Sequence, residues 1–266
     1  MKPQELIIKT ENHVGTLILN RPEKRNSLSQ NLLLSIHMAL QKWAEEGDVW
    51  AVIITGSEDK AFSSGYDILS IPTDNTPEIQ KFLKNTSPLE LALNSIKTFP
   101  FPVIAMMNGY AFGAGLNLAI CCDIRVAINT IKVCMPPAKL GLVYHPEGLK
   151  QFVEVLGVSK TKEIFYTARK YDAKQAKEMG IVDYLLPEEK LADFTNSLVK
   201  DIVSNAPLSI KGTKRILNMI SSVDKILTSE QKKEAEKIIL ESINSEDLKE
   251  GQTAFIEKRY PYFKCK

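Results

Sequence analysis

Three short runs in this sequence, residues 49–55, 103–107 and 124–127, are apolar almost from end to end. A strand with one wet face alternates polar and apolar residues. A run without alternation needs cover on both faces, as in a parallel sheet flanked by helices. Gly56 ends the first run and Asn108-Gly109 the second, and the segments 77–98 and 113–122 read as helices. Strand, turn and helix therefore recur, which predicts an α/β core. No GxGxxG follows any of these strands, so the core is not a Rossmann dinucleotide domain.

Upstream, residues 5–10 and 14–19 read as strands joined at Glu11-Asn12-His13, and Asn20-Arg21-Pro22 breaks the run. An amphipathic helix follows from Ser29, with Leu33, Ile36, Leu40 and Trp43 on one face and Gly47 near its end. Beyond Gly148 the chain reads as almost entirely helical. Asp172 with Gln175 resembles a capping box, Gly180 is a stop, and Leu191, Phe194 and Leu198 mark one helix while Pro207 opens another. Segments 228–243 and 250–259 form a charged helical tail of the kind that packs on its own core or on a neighbouring subunit. The expected division is a core over residues 1–200 and a helical oligomerisation region over 201–266.

Composition excludes more than it suggests. A formal charge of +2 over 266 residues, with lysines scattered among glutamates, gives no reason to expect nucleic acid as a partner. No stretch approaches the roughly 20 apolar residues of a membrane span, and the first residues lack the apolar run of a signal peptide. Cysteines 121, 122, 134 and 265 match neither zinc-ligand nor redox spacing, so buried free thiols and a reducing cytoplasm are expected.

Two glycine-bearing turns sit after buried strands: residues 61–68, with Ser63-Ser64-Gly65-Tyr66-Asp67-Ile68, and residues 108–117, with Gly113-Ala114-Gly115. Glycine admits close approach to a ligand, and a helix start adds unpaired N–H donors. Brought together, two such turns form an oxyanion hole; kept apart, they are ordinary strand-to-helix connections. Ser63 and Ser64 lack the GxSxG frame of a serine nucleophile.

Asn20-Arg21-Pro22, the 61–68 turn, Pro102-Val103-Ile104-Ala105, the 108–115 turn with Cys122-Asp123, and Glu257-Lys258-Arg259 together resemble the enoyl-CoA hydratase/isomerase, or crotonase, superfamily over the whole chain. The resemblance implies a spiral of ββα units with C-terminal helices that build a homotrimer or a dimer of trimers. It implies an acyl-CoA substrate whose carbonyl oxygen rests on the N–H groups of Tyr66 and Ala114, beside Ser64, Gly65, Asp67, Ile68 and Pro136. It also places Phe255 and Lys258 near the CoA nucleotide, with no metal and no cofactor beyond the CoA moiety. The family commonly has glycine at the position of Ala114. If a positive φ is needed there, alanine adds about 1–2 kcal/mol of strain.

Hydratases that this chain resembles carry two catalytic glutamates, and the matching positions here are Asn117 and Pro137. Leu140-Gly141-Leu142-Val143-Tyr144 after Met135-Pro136-Pro137 is similar to methylmalonyl-CoA decarboxylase-type members, in which the tyrosine helps place a substrate carboxylate. Two departures stand out: Tyr66 replaces a histidine and Pro136 a threonine. Loss of CO2 yields the enolate without a base, so the expectation is an acyl-CoA lyase that decarboxylates a malonyl- or methylmalonyl-type thioester, with Tyr66, Ala114 and Tyr144 at its centre. The alternatives are an enoyl-CoA hydratase or isomerase that uses His145 or Glu147, and an acyl-CoA-binding protein without catalysis. As a bare loop residue, His145 is expected to face solvent.

Overall fold

The computed structural model describes residues 4–58, 60–66, 87–140 and 144–221, with Glu230, Glu246, Glu250, Ala254, Glu257, Arg259, Tyr262 and Lys264 beyond them. The first half of the expected 77–98 helix, most of the tail, and the candidates Asp67, Ile68, Phe255 and Lys258 lie outside the described residues.

Strands β1 (Leu6–Glu11) and β2 (Val14–Leu19) pair antiparallel around Asn12 (φ 49°) and His13 (φ 65°). Two left-handed residues in a two-residue loop give a twist that suits a hairpin. β3 (Ala51–Gly56), β5 (Val103–Met107), β7 (Ile124–Ile128) and β10 (Tyr184–Leu186) then add in parallel, in the order β1-β2-β3-β5-β7-β10. Every residue of β3 is buried, as its unbroken apolar run requires.

A second sheet takes β4 (Ala61–Ser63), β6 (Tyr110–Phe112), β8 (Lys132–Cys134) and β9 (Lys170–Asp172), in that order. β3 with β4, β5 with β6 and β7 with β8 each place one strand in each sheet, and repetition of this step winds the chain into the ββα spiral. The pattern of the sequence hides the second sheet, because three residues carry no readable period. For the same reason the stretch beyond Gly148 is less helical than expected: β9 pairs antiparallel with β8, and β10 runs parallel to β7.

Helix α1 (Gln30–Glu46) starts at Ser29, whose side chain accepts from Leu32 N–H, and ends at left-handed Gly47. α2 (Pro88–Thr98) meets it through His37 and Ser95, 2.6 Å apart. α3 (Ala114–Cys121) is buried at every position and forms the axis of the site. α4 (Pro146–Thr167) is interrupted at Gly157, where φ is 74° and ψ 164°. α5 (Ala173–Glu178) has the expected Asp172–Gln175 capping box, and α6 (Glu188–Val203) and α7 (Pro207–Ile220) follow. Lys214 of α7 reaches back to the Asp123 carboxylate (2.6 Å) and the Phe101 carbonyl (2.9 Å). The same Asp123 oxygen accepts from Val103 N–H at 2.7 Å, which ties the end of α3 to the start of β5. Glu250, Ala254 and Glu257 are helical, in keeping with a helical tail. Cys121, Cys122 and Cys134 are buried, the first two as free thiols, and among the described residues no helix is long and apolar enough to cross a membrane.

Candidate active site

The first turn follows β4 and is held by residues 21–28. Asn26, left-handed at φ 54° and 1% exposed, donates to the carbonyls of Ala61 (2.8 Å) and Ser57 (3.0 Å). Its own side-chain oxygen accepts from Arg21 N–H (3.0 Å) and the Ser57 hydroxyl (3.1 Å). Ser63 Oγ donates to the Asn26 carbonyl at 2.8 Å and accepts from Gly65 N–H at 3.2 Å. Leu28 N–H donates to the Gly65 carbonyl and Ser64 N–H to that of Arg25. The Ser64 hydroxyl turns to the Lys24 carbonyl (3.2 Å), so its side chain faces this loop.

The second turn runs from β6 into α3 through Gly113, at φ 53° and ψ −126°. An L-residue there is strained by about 1–3 kcal/mol. Ala114 is not among the residues with positive φ, so the strain anticipated for alanine does not arise: the glycine before it takes the unusual conformation. Gly113 N–H donates to the Cys134 carbonyl at 2.9 Å, and the Pro136 ring lies 3.7 Å from where a Cβ on Gly113 would stand.

The two turns meet. A Cβ on Gly65 (φ 99°) would lie 2.6 Å from the Phe112 carbonyl oxygen and 3.3 Å from the Ala114 nitrogen, a closeness that a side chain would disrupt. Among the described residues neither Tyr66 N–H nor Ala114 N–H donates to a backbone carbonyl. Ala114 opens α3, where the first N–H groups have no partner within the helix and the dipole is positive. The Tyr66 ring packs against the core, and its hydroxyl is buried with no partner among the described residues.

One turn along α3, Asn117 is fully buried and engaged at both ends. The Tyr144 hydroxyl donates to its side-chain oxygen at 2.8 Å, and its NH2 donates to the Gln151 side-chain oxygen at 2.7 Å. Burial pushes the Tyr144 phenol well above its usual pKa, so it stays protonated. Its ring packs on Phe165 and His145.

His145 does not face solvent as expected. It caps α4, is partly buried, and its Nδ1 accepts from Gly148 N–H at 3.1 Å, which places the ring proton on Nε2. Desolvation lowers its pKa, against the opposing pull of Glu90 and Glu147. Glu147 lies exposed in the first turn of α4, and Pro137 is buried at the start of a 3-10 turn, Pro137–Leu140.

Tyr66, Gly65, Ala114 and Pro136 therefore gather at the paired turns, Asn117 and Tyr144 form one hydrogen-bonded unit, and the Glu147 side chain is exposed on the first turn of α4. Two contributors escape sequence reasoning, Asn26 and Gln151, while Ser63, weighed there only as a nucleophile, proves to be a brace between Asn26 and Gly65. Nothing in the spacing of Asn26 and Gln151 marks them, since the Asn26 NH2 reaches carbonyls 31 and 35 residues away and Gln151 an amide 34 residues away. Among the described residues no cluster of His, Cys, Asp and Glu is arranged to hold a metal ion.

The sequence profile of the enoyl-CoA hydratase/isomerase family matches residues 9–266. The chain is 30% identical to a short-chain-enoyl-CoA hydratase of Clostridium acetobutylicum over 97% of both chains. It is 31% identical to a crotonyl-CoA hydratase of Syntrophomonas wolfei over 99% of both. The crystal structure of an enoyl-CoA hydratase from Bacillus anthracis superposes with a TM-score of 0.89 at 29% identity, covering 99% of this chain and all of that one. With the ββα spiral and the meeting of its two turns, these likenesses establish that the chain belongs to the enoyl-CoA hydratase/isomerase family.

Proposed function

We propose that the chain binds an acyl-CoA thioester against the paired turns and acts on an enoyl-CoA, adding water across its double bond or shifting that bond. The observation that carries this reading is the approach of Gly65 to the Ala114 nitrogen. It brings into adjoining turns the N–H groups of Tyr66 and Ala114, which donate to no backbone carbonyl among the described residues. Donors fixed in advance stabilise charge on the thioester oxygen without reorganising, and the loss of one costs about 3 kcal/mol in comparable sites. The names of the relatives support an enoyl-CoA over the malonyl-type substrate expected from sequence.

The Tyr144 hydroxyl donates its hydrogen bond to Asn117, which leaves the lone pairs of the phenol oxygen free to accept. In this reading that oxygen accepts a hydrogen bond from the attacking water and aims the water's lone pair at Cβ; as the C–O bond forms the enolate rests on the two N–H groups, and the proton released from the same water passes to Cα. No carboxylate stands at Asn117 or Pro137, and one acid–base group contributes about 10²–10⁴-fold. Hydration is accordingly expected to be slow, and Asn117→Glu to accelerate it at least about tenfold. Lys258, with Phe255, is proposed to hold the CoA phosphates, and the assembly is proposed to be a homotrimer or a dimer of trimers.

A second reading, decarboxylation of a malonyl-type thioester, is favoured by the absence of acids at Asn117 and Pro137, since CO2 loss needs no base. A thioester panel read by mass spectrometry separates the two. Water added to crotonyl-CoA or an isomerised 3-enoyl-CoA supports the first, and CO2 lost from malonyl- or methylmalonyl-CoA replaces it with the second. Tight binding without any turnover leaves a carrier of acyl-CoA.

A further inference from the structure

Gln151 lies on the far side of Asn117 from Tyr144, and we infer that it is a positioning residue: by holding the Asn117 amide in one orientation it makes Tyr144 a hydrogen-bond acceptor toward the thioester pocket. The inference rests on the reading of the paired turns as a thioester site faced by Tyr144.

A primary amide turned end for end exchanges a donor for an acceptor. In the observed orientation Asn117 NH2 meets the Gln151 oxygen at 2.7 Å and the Cys121 sulfur at 3.7 Å, so its oxygen is left for the Tyr144 hydroxyl proton. Turned over, Asn117 would donate to Tyr144, and the phenol proton would be free to point at the substrate. The first polarity suits a ligand that donates, such as water or a hydroxyl at Cβ. The second suits a carboxylate.

Both amides are constrained. Asn117 is fully buried and Gln151 is 5% exposed, so neither amide exchanges its partner for solvent. Gln151 also lines a cavity of about 310 Å3 together with Glu154 and Arg125. Among the described residues Glu154 Oε1 and Arg125 Nε are buried without hydrogen-bond partners. These two groups, one an acceptor and one a donor, by themselves select neither orientation of Gln151. The Cys121 sulfur, beside the Asn117 nitrogen, favours the observed one. Gln151 transmits that choice because its single carbonyl is the strong acceptor for Asn117 NH2.

Two thioesters that differ only at C3 test the polarity: 3-hydroxypropionyl-CoA, which donates there, and malonyl-CoA, which only accepts. Calorimetric binding to the wild type is expected to favour the hydroxy thioester about tenfold. Gln151→Met is expected to narrow that preference to about twofold. Gln151→Glu is expected to keep it at alkaline pH, where the carboxylate is acceptor-only, and to lose it on acidification. The new carboxyl group, once protonated, donates to Asn117 and turns it over, and burial raises the pH at which this happens. A structural role alone would not produce rescue by glutamate at one pH and its loss at another. Stronger binding of malonyl-CoA to the wild type would overturn the inference, as would a preference unchanged in Gln151→Met or a pH-independent Gln151→Glu. If Gln151→Met does not fold, the pH response of Gln151→Glu decides alone. The preference without any hydration or isomerisation removes the proposed reaction and leaves the inference standing; reaction without the preference removes the inference.

Discussion

The two turns of the site are built by opposite means. The first belongs to a loop and is fixed by side chains from elsewhere, with Asn26 alone making four hydrogen bonds between residues 21–28, Ser57 and Ala61. The second belongs to regular structure: β6 delivers it, a wholly buried helix continues it, and one glycine with φ 53° makes the corner. The loop-built half depends on buried polar groups that must all be satisfied. The helix-built half depends on backbone conformation at one residue. Damage to the two should therefore look different.

The largest effect should come from the loop side. Asn26→Ala removes four hydrogen bonds, leaves buried groups unpaired and places alanine in a left-handed conformation, so a loss of about 3 kcal/mol or more is expected by urea unfolding. A loss under about 1 kcal/mol would show that the loop does not hold the turn. Gly113→Ala should cost about 1–3 kcal/mol from backbone strain, since the Pro136 ring leaves room for the methyl group. Ser63→Ala, which deletes the link between Asn26 and Gly65, should cost about 1–2 kcal/mol.

A smaller effect concerns pH. His145 has a folded-state pKa below its unfolded value, so its contribution is present above the unfolded pKa and fades as pH falls through the folded one. Stability should therefore decline on acidification from about pH 6.5. His145→Asn, which retains a capping side chain, should flatten that part of the profile; an unchanged slope would assign it to other groups. Ala114→Gly should do least, with at most about 1 kcal/mol lost and the absorbance shift of bound cinnamoyl-CoA unaltered. A marked increase in that shift would mean that alanine does restrain the second turn.

The same contrast explains what could be read from the sequence. The buried strands were legible because unbroken apolar runs have one comfortable environment, and the Ser29 and Asp172 caps because capping chemistry is local. The three-residue strands β4, β6, β8, β9 and β10 were not, since too few residues alternate to show a period. Ala114 drew attention as a departure, yet the strain it suggested is absorbed by Gly113. The pairing of the turns came from family resemblance rather than from pattern. His145 looked like a loop residue because the cap it forms depends on where α4 begins. Asn26 and Gln151 carried no signal, as an amide reveals its partner only when the chain has brought both together.

The order of the strands has one more consequence. In both sheets it rises with position along the chain, so each strand docks on one that already exists. A chain emerging from the ribosome amino terminus first never has to reopen a sheet to insert a later strand. Both turns of the site are complete by the end of α3. From later chain the contacts described for them draw on the Cys134 carbonyl, the Pro136 ring and, through Asp123, an ammonium group 91 residues further on. The direction of synthesis is the direction of assembly, and the paired turns belong to its earlier part.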